Sequence, residues 1–196
     1  MIMKRIYFLF FFFVAFMSQA CDSVHSQIEL EKNSSANEVD EYIAIFGDIQ
    51  YYTNLNYIDL YKHSVNWILN QIEDGKVIKC VLHTGDVTQT NALNEWDCFA
   101  SAMGSLSETV PYYSMIGNHD FTWHEGNHIT SREETYFNKY LQYPLSLSKV
   151  VAWFEEGRME NIVVENTIHG HRYDILILEF GPRNEVVQWA DEYVKS

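Results

Sequence analysis

Basic residues are scarce in this 196-residue chain, where 13 Lys and Arg stand against 27 Asp and Glu for a formal charge of -14. A phosphate backbone would be repelled by such a surface unless a basic patch gathered locally. The sequence shows none, which argues against non-specific nucleic-acid binding. Cysteines are few as well, three in all. With Cys21 set aside for reasons given below, Cys80 lies in an apolar run and Cys98 in an expected helix. Two cysteines make no disulfide framework, and burial as free thiols is at least as good a reading. Long apolar runs are also missing: Ile6 to Met17 is twelve residues, against the roughly 20 that a membrane-spanning helix needs. Nor is there an internal repeat or a low-complexity stretch within the domain, and the length suits one domain with a real hydrophobic core.

What is present begins with a targeting segment. Lys4 and Arg5 precede the apolar run, which leads to Ser18-Gln19-Ala20-Cys21, so residues 1–20 read as an export signal peptide. A small residue directly before Cys21 resembles a bacterial lipobox, in which the cysteine is diacylated and becomes the new N-terminus; plain cleavage after Ala20 is the competing reading. Residues 21–40, polar and without periodicity, read as a tether, and residues 41–196 as the domain. The expectation is an exported bacterial lipoprotein, anchored to a membrane through Cys21 on the periplasmic or cell-surface side. Removing Lys4 and Arg5 takes the formal charge from -14 to -16.

The domain alternates elements. Glu41 to Phe46 is a short apolar run that stops at Gly47-Asp48, as a buried strand entering a loop does. Ile58, Tyr61, Val65, Ile68, Leu69 and Ile72 fall on one face of a helix that ends at Asp74-Gly75. Lys76 to His83 reads as a second strand, stopping at Thr84-Gly85-Asp86. A second helix carries Leu93, Trp96, Ala100 and Met103 on one face, and Val110 to Ile116 is a third strand before Gly117-Asn118-His119-Asp120. Strands joined by helices pair in parallel through right-handed crossovers, so the three loops emerge at one sheet edge, where such sheets bind ligands. Beyond residue 130 a helix is expected near Glu133 to Leu141. Two strands follow in MENIVVENT and RYDILILEF, joined by the turn IHGH, and then a last helix in NEVVQWADEYVKS.

The three loops offer carboxylate, amide and imidazole groups, the ligands that hard or borderline divalent ions take. Two ions about 3.5–4 Å apart need one carboxylate between them, and Asp86, from the central loop, is the natural bridge. The ordered series D-x-Q, G-D and G-N-H-D, each after a strand, resembles the calcineurin-like metallophosphoesterase superfamily. FGDIQYY, EWDCFASAMGSL, VPYYSMIGNHDF and LEFGPRNEVVQWA are similar to an exported bacterial branch of it with Gln in place of the first His.

That resemblance implies an α/β fold, a sandwich of two mixed β-sheets flanked by helices, with two divalent metal ions (Mn, Fe, Zn or similar). Asp48 and Gln50 would bind the first ion, Asp86 would bridge, and Asn118 would bind the second through its amide oxygen. His119 would bind the substrate phosphate and protonate the leaving group; His119 and Asp120 are the catalytic candidates. The implied reaction is hydrolysis of a phosphomonoester or phosphodiester by in-line attack of metal-bound hydroxide. The superfamily also carries a later lone His and a G-H-x-H. These should follow LEFGPRNEVVQWA, yet Ser196 comes one helix later, so the domain is expected to be incomplete at its C-terminus and its site short of ligands. Gly170-His171-Arg172-Tyr173 lacks the second His and reads as a hairpin turn.

Other signals compete. His124-Glu125-Gly126-Asn127-His128 spells the H-E-x-x-H of a zinc protease, which needs both histidines on one helix face; Gly126 and Asn127 are poor helix formers, and loop histidines, with His124 contacting substrate, fit better. Gly85-Asp86-Val87-Thr88-Gln89-Thr90-Asn91 lacks the Arg and second Asp of the Ser/Thr protein phosphatases. Tyr51, Tyr52, Tyr57, Phe121 and Trp123 flank the site; core packing is the simpler reading, with Tyr51 as a candidate substrate contact. His83 and Thr84 are expected to help hold the strand end. The alternative to an enzyme is a non-catalytic surface lipoprotein that keeps the fold as a binding module.

Overall fold

The computed structural model describes residues 40–55, 57–124, 127–132 and 134–196, and of residues 123–124 and 127–130 the backbone alone. The expected signal peptide, the tether up to residue 39 and the lipidation candidate Cys21 lie outside the described residues. No helix among the described residues is long and apolar enough to cross a membrane.

Strands β1 (Glu41–Phe46), β2 (Val77–His83) and β3 (Tyr112–Ser114) form one sheet in the order β1-β2-β3, parallel throughout. Between β1 and β2 run α1 (Gln50–Asn54) and α2 (Ile58–Glu73). Between β2 and β3 run α3 (Leu93–Met103) and α4 (Leu106–Thr109). Tyr61, Val65 and Ile68 of α2 are buried, and the Tyr61 ring meets Phe46 of β1 at 5.1 Å and Phe99 of α3 at 6.1 Å. Both helices thus cover one face of this sheet.

The face of α3 differs from the expected one. Leu93 and Ala100 are exposed, while Glu95, Trp96, Phe99, Ala102 and Met103 are buried. The reason is polar: Glu95 turns its carboxylate back to accept from Thr90 N–H at 2.8 Å and Ala92 N–H at 3.3 Å, satisfying donors at the helix start. That rotates the apolar stripe away from Leu93.

A hairpin of β4 (Thr122–His124) and β5 (Asn127–Ser131) follows the third loop. Short helices α5 (Phe137–Leu141) and α6 (Pro144–Leu147) lead to a second sheet of β6 (Val150–Trp153), β7 (Ile162–Ile168) and β8 (His171–Ile177), antiparallel throughout. Pro144 starts a helix, where its missing N–H costs nothing. Ile162, Val163 and Val164 are buried in succession, so β7 is covered on both faces; β2 of the first sheet lies against it. The last helix, α7 (Asn184–Lys195), packs on the second sheet, its Trp189 ring 5.9 Å from Phe154.

The chain is therefore α/β, two sheets flanked by helices. Parallel and antiparallel pairings are segregated between the sheets rather than mixed within each. Helical crossovers force the first kind and the tight turn at His169 and Gly170, both with positive φ, permits the second.

Candidate functional site

The three loops meet at the carboxyl edge of the first sheet, and Asp86 joins them. Its backbone sits in the left-handed region at φ 54°, a conformation in which Cβ is crowded and which Asp and Asn tolerate best among residues other than glycine. From there its carbonyl accepts the N–H of Ile49 at 3.2 Å, in the loop after β1. Its carboxylate Oδ1 accepts the N–H of His119 at 3.0 Å, in the loop after β3. Two glycines allow this approach. A Cβ on Gly117 would lie 2.1 Å from Asp86 Oδ1, and one on Gly85 would lie 2.8 Å from the backbone nitrogen of Gly117.

Burial pushes the Asp86 carboxyl upward; the His119 N–H pulls against that, and the neighbouring Asp48 charge adds to it. Asp48 is exposed, and the Thr84 hydroxyl donates to its Oδ1 at 3.3 Å. Gln50 is 8% exposed in the first turn of α1, and its side-chain amide makes no hydrogen bond to a described residue. Asn118 is half-buried at the start of a single 3-10 turn formed by Asn118–Asp120. All four candidate ligands thus lie on loops tied together through Asp86.

The imidazole of His119 is oriented by main chain, with Nδ1 2.8 Å from the carbonyl oxygen of Gln89. A carbonyl only accepts, so Nδ1 carries a hydrogen, and in the neutral ring Nε2 carries the lone pair.

Asp120 stands apart from its expected catalytic role. It is fully buried, its Oδ1 accepting from the N–H of Thr88 at 2.8 Å and the Thr88 hydroxyl at 3.0 Å, and its Oδ2 from the N–H groups of Val87 and Gly117 at 3.3 and 3.0 Å. Burial pushes its pKa up to about 7 against the pull of these donors. With every oxygen so engaged, Asp120 clasps the second loop to the third instead of facing the open edge.

The remaining sequence candidates separate. Phe121 is fully buried, but Tyr51, Tyr52 and Tyr57 are exposed, so core packing accounts for only part of that aromatic cluster. Of the H-E-x-x-H letters, His124 ends β4 and His128 lies in β5, the antiparallel strand in which Asn127 pairs with His124, so each of the two histidines stands in a strand; Glu125, Gly126 and the side chains of His124 and His128 lie outside what is described. His83 is buried beneath the second loop, where its Nδ1 accepts the Gly85 N–H at 3.2 Å. That strand-end role was legible. So was that of Thr84, whose N–H donates to the Phe46 carbonyl at 3.1 Å; the parts played by Thr88 and Gln89 were not, because a hydroxyl brace and a backbone carbonyl leave no signature in residue type.

The donors suit a divalent cation in kind. Asp48 and Asp86 place two mutually repelling carboxylates within electrostatic reach, a charge that a cation would relieve, and Gln50 and Asn118 add neutral oxygens. Among the described residues, however, no three His, Cys, Asp or Glu side chains converge as a metal-binding group.

The calcineurin-like phosphoesterase family matches residues 42–193. Two proteins from Arabidopsis thaliana, named probable inactive purple acid phosphatase 1 and probable inactive purple acid phosphatase 24, are 32% identical over 87 residues and 35% identical over 85. These matches cover 42% and 41% of this chain but 14% of each relative, so the chain spans only a small part of the length of those proteins. No solved structure matches.

Proposed function

The chain belongs to the calcineurin-like phosphoesterase family, and on that premise we propose that its strand-end site binds a phosphomonoester or phosphodiester and hydrolyses it with the aid of divalent cations. The observation that carries this reading is Asp86, held in a left-handed conformation with its carbonyl on one loop and its carboxylate on another. Backbone strain maintained at a site by its surroundings is a mark of function.

Asp48, Gln50, Asp86 and Asn118 would hold the cations. Bound there, divalent ions neutralise charge on phosphoryl oxygens and lower the pKa of a coordinated water. The chain's own residues do the rest. Asp86 fixes the spacing of the three loops, and Asp120 locks the second to the third. The Gln89 carbonyl holds His119 with a hydrogen at Nδ1, so the proton it exchanges with the leaving-group oxygen is at Nε2. The wording of the relatives' names and the two amides among the four donors favour a second reading, a module on the same fold that binds phosphate esters without turnover.

One experiment separates the readings. The full chain is loaded with Mn²⁺ or Zn²⁺, and metal content, binding of a chromogenic phosphate ester and its hydrolysis are measured for wild type and Asp86→Ala. Hydrolysis lost in the variant supports the enzyme. Metal-dependent ester binding without hydrolysis supports the module, and absence of both overturns the two readings together.

The N-terminal segment extends the proposal to an exported lipoprotein of the bacterial branch with Gln at position 50. Its check is incorporation of labelled palmitate, expected in the wild type and absent in Cys21→Ser.

A further inference from the structure

Glu95 caps α3, but one of the groups that it caps belongs to the peptide that holds His119. Glu95 is 1% exposed. Its Oε2 accepts the Thr90 N–H at 2.8 Å, the Thr90 hydroxyl at 3.1 Å and the Ala92 N–H at 3.3 Å, and its Oε1 accepts from the side-chain amide of Asn54, the last residue of α1, at 2.7 Å. All of these partners donate, which suits an ionised carboxylate, since it only accepts.

The Thr90 N–H and the Gln89 carbonyl are the two ends of one peptide unit. That unit is planar and trans, so its N–H and C=O point in opposite directions. At one end the Thr90 nitrogen is 2.8 Å from Glu95 Oε2, and at the other the Gln89 oxygen is 2.8 Å from His119 Nδ1. The order is carboxylate, peptide, imidazole. Both neighbours of the unit are held as well. The Thr88 N–H is bound by Asp120 at 2.8 Å, and Asn91, 6% exposed and left-handed at φ 54°, accepts the Trp96 indole N–H at 2.8 Å through its side chain. The plane therefore has little freedom to turn away from the imidazole.

A negative charge at the N–H end of a peptide draws electron density onto its oxygen. Hydrogen bonds linked in this way strengthen one another by about 10–30% per bond, most where water is excluded. A carboxylate touching a histidine directly selects which ring nitrogen carries the hydrogen, and here one peptide stands between the two.

We propose that Glu95 is a positioning residue for His119, acting through the Gln89–Thr90 peptide to hold the hydrogen at Nδ1 and so leave Nε2 as the nitrogen that exchanges a proton. It rests on the reading of His119 as the group that exchanges a proton with the leaving-group oxygen. No proton crosses the peptide, because Nδ1 keeps its hydrogen throughout.

The test is Glu95→Gln in the full chain. An amide at this position still offers its oxygen to the Thr90 and Ala92 N–H groups, and the exposed Asn54 can turn its own oxygen toward the new NH₂. The cap survives and the charge goes. The Nδ1–H resonance of His119 is followed by NMR in metal-free protein at one fixed pH, with the Thr90 and Ala92 amides reporting on the cap. In the variant that resonance should move upfield and its hydrogen should exchange with water about threefold faster or more, as a bond does when it loses the strengthening given by its neighbour. An unmoved Nδ1–H overturns the proposal and leaves Glu95 a helix cap only. The wild type supplies a check that needs no variant: a His119 ring with its hydrogen on Nε2, or a Thr90 amide that exchanges as fast as an open loop, overturns the proposal equally. With metal and a chromogenic phosphate ester, kcat should fall about threefold or more at unchanged KM, and equal kcat in variant and wild type overturns the proposal. If the wild type turns over no ester, the phosphoesterase reading fails by itself, and the Nδ1–H resonance alone decides the role of Glu95.

Discussion

Asp120 and His83 are two buried titratable side chains that hold loops in place, and each makes its contribution measurable. Asp120 accepts four hydrogen bonds, two on each oxygen. Asp120→Asn keeps one oxygen and sets an NH₂ against N–H donors that it cannot accept from. The expected loss in unfolding free energy is about 2–5 kcal/mol, from unsatisfied buried donors; a loss near zero in denaturant titration would remove its role as a clasp. His83 is wholly buried, and burial lowers its pKa from the ordinary 6.5 to about 3. A group with a depressed folded pKa contributes stability that is present above the unfolded pKa and lost as pH falls through the folded one. The window here runs from about pH 6.5 down to about 3. Asp120, raised to about 7, acts in the opposite direction between its unfolded value and pH 7, so the comparison has to be made between variants. The stability gap between wild type and His83→Gln should shrink by about 2 kcal/mol between pH 7 and pH 5. A gap that stays constant would mean His83 titrates normally.

At the scale of elements, the loops after β2 and β3 depend on two glycines for different reasons. Gly85 has φ 97° and would be strained with any side chain; Gly117, at φ -84°, has ordinary backbone and is constrained by Asp86, whose carboxylate Oδ1 and backbone nitrogen would lie 2.1 and 2.2 Å from an added Cβ. Gly117→Ala should push Asp86 off the His119 N–H, visible as a shift of the His119 amide resonance. Gly47→Ala, with nothing within 4 Å of the added Cβ, should leave that resonance unmoved. Equal spectra for the two variants would show that the loops pack more loosely than the contact implies. The order of strands and helices could be read because apolar periodicity reports which faces are buried, and Asp48, Asp86 and His119 could be placed because each follows a strand. The turn of α3 could not, since Glu95 is a charged residue recruited inward to cap its own helix. Nor could the use of Asp120, because the letters of a motif do not say whether a carboxylate faces the edge or the protein. The β4–β5 hairpin escaped as well, its first strand being only Thr122–His124, too short to show alternation.

For the whole molecule, the question is whether the second sheet is a separate layer or part of what holds the site. Among the contacts that join it to the first, β2 lies against β7, the N–H of His169 in the β7–β8 turn donates to Glu41 of β1 at 2.7 Å, and the N–H of Phe180, just past β8, donates to the carbonyl of Ile116 at 3.0 Å, one residue before Gly117. The third loop is thus supported from behind by the exit of the second sheet. Arg132 secures that exit, donating to the carbonyls of Phe180 at 3.2 Å and Gly181 at 2.9 Å. If the sheets form one cooperative unit, a cavity in the second must loosen the first. Ile162→Ala, at a β7 position 1% exposed, should cost about 2–5 kcal/mol. At roughly 2–4 °C per kcal/mol for a domain of this size, the midpoint should fall by about 4–20 °C. Unfolding followed by far-ultraviolet circular dichroism should then coincide with unfolding followed by the His119 amide resonance, both moving together in the variant. If the secondary-structure signal shifts while His119 keeps its wild-type midpoint, the first sheet holds its loops unaided, and the Phe180 contact is incidental to the site.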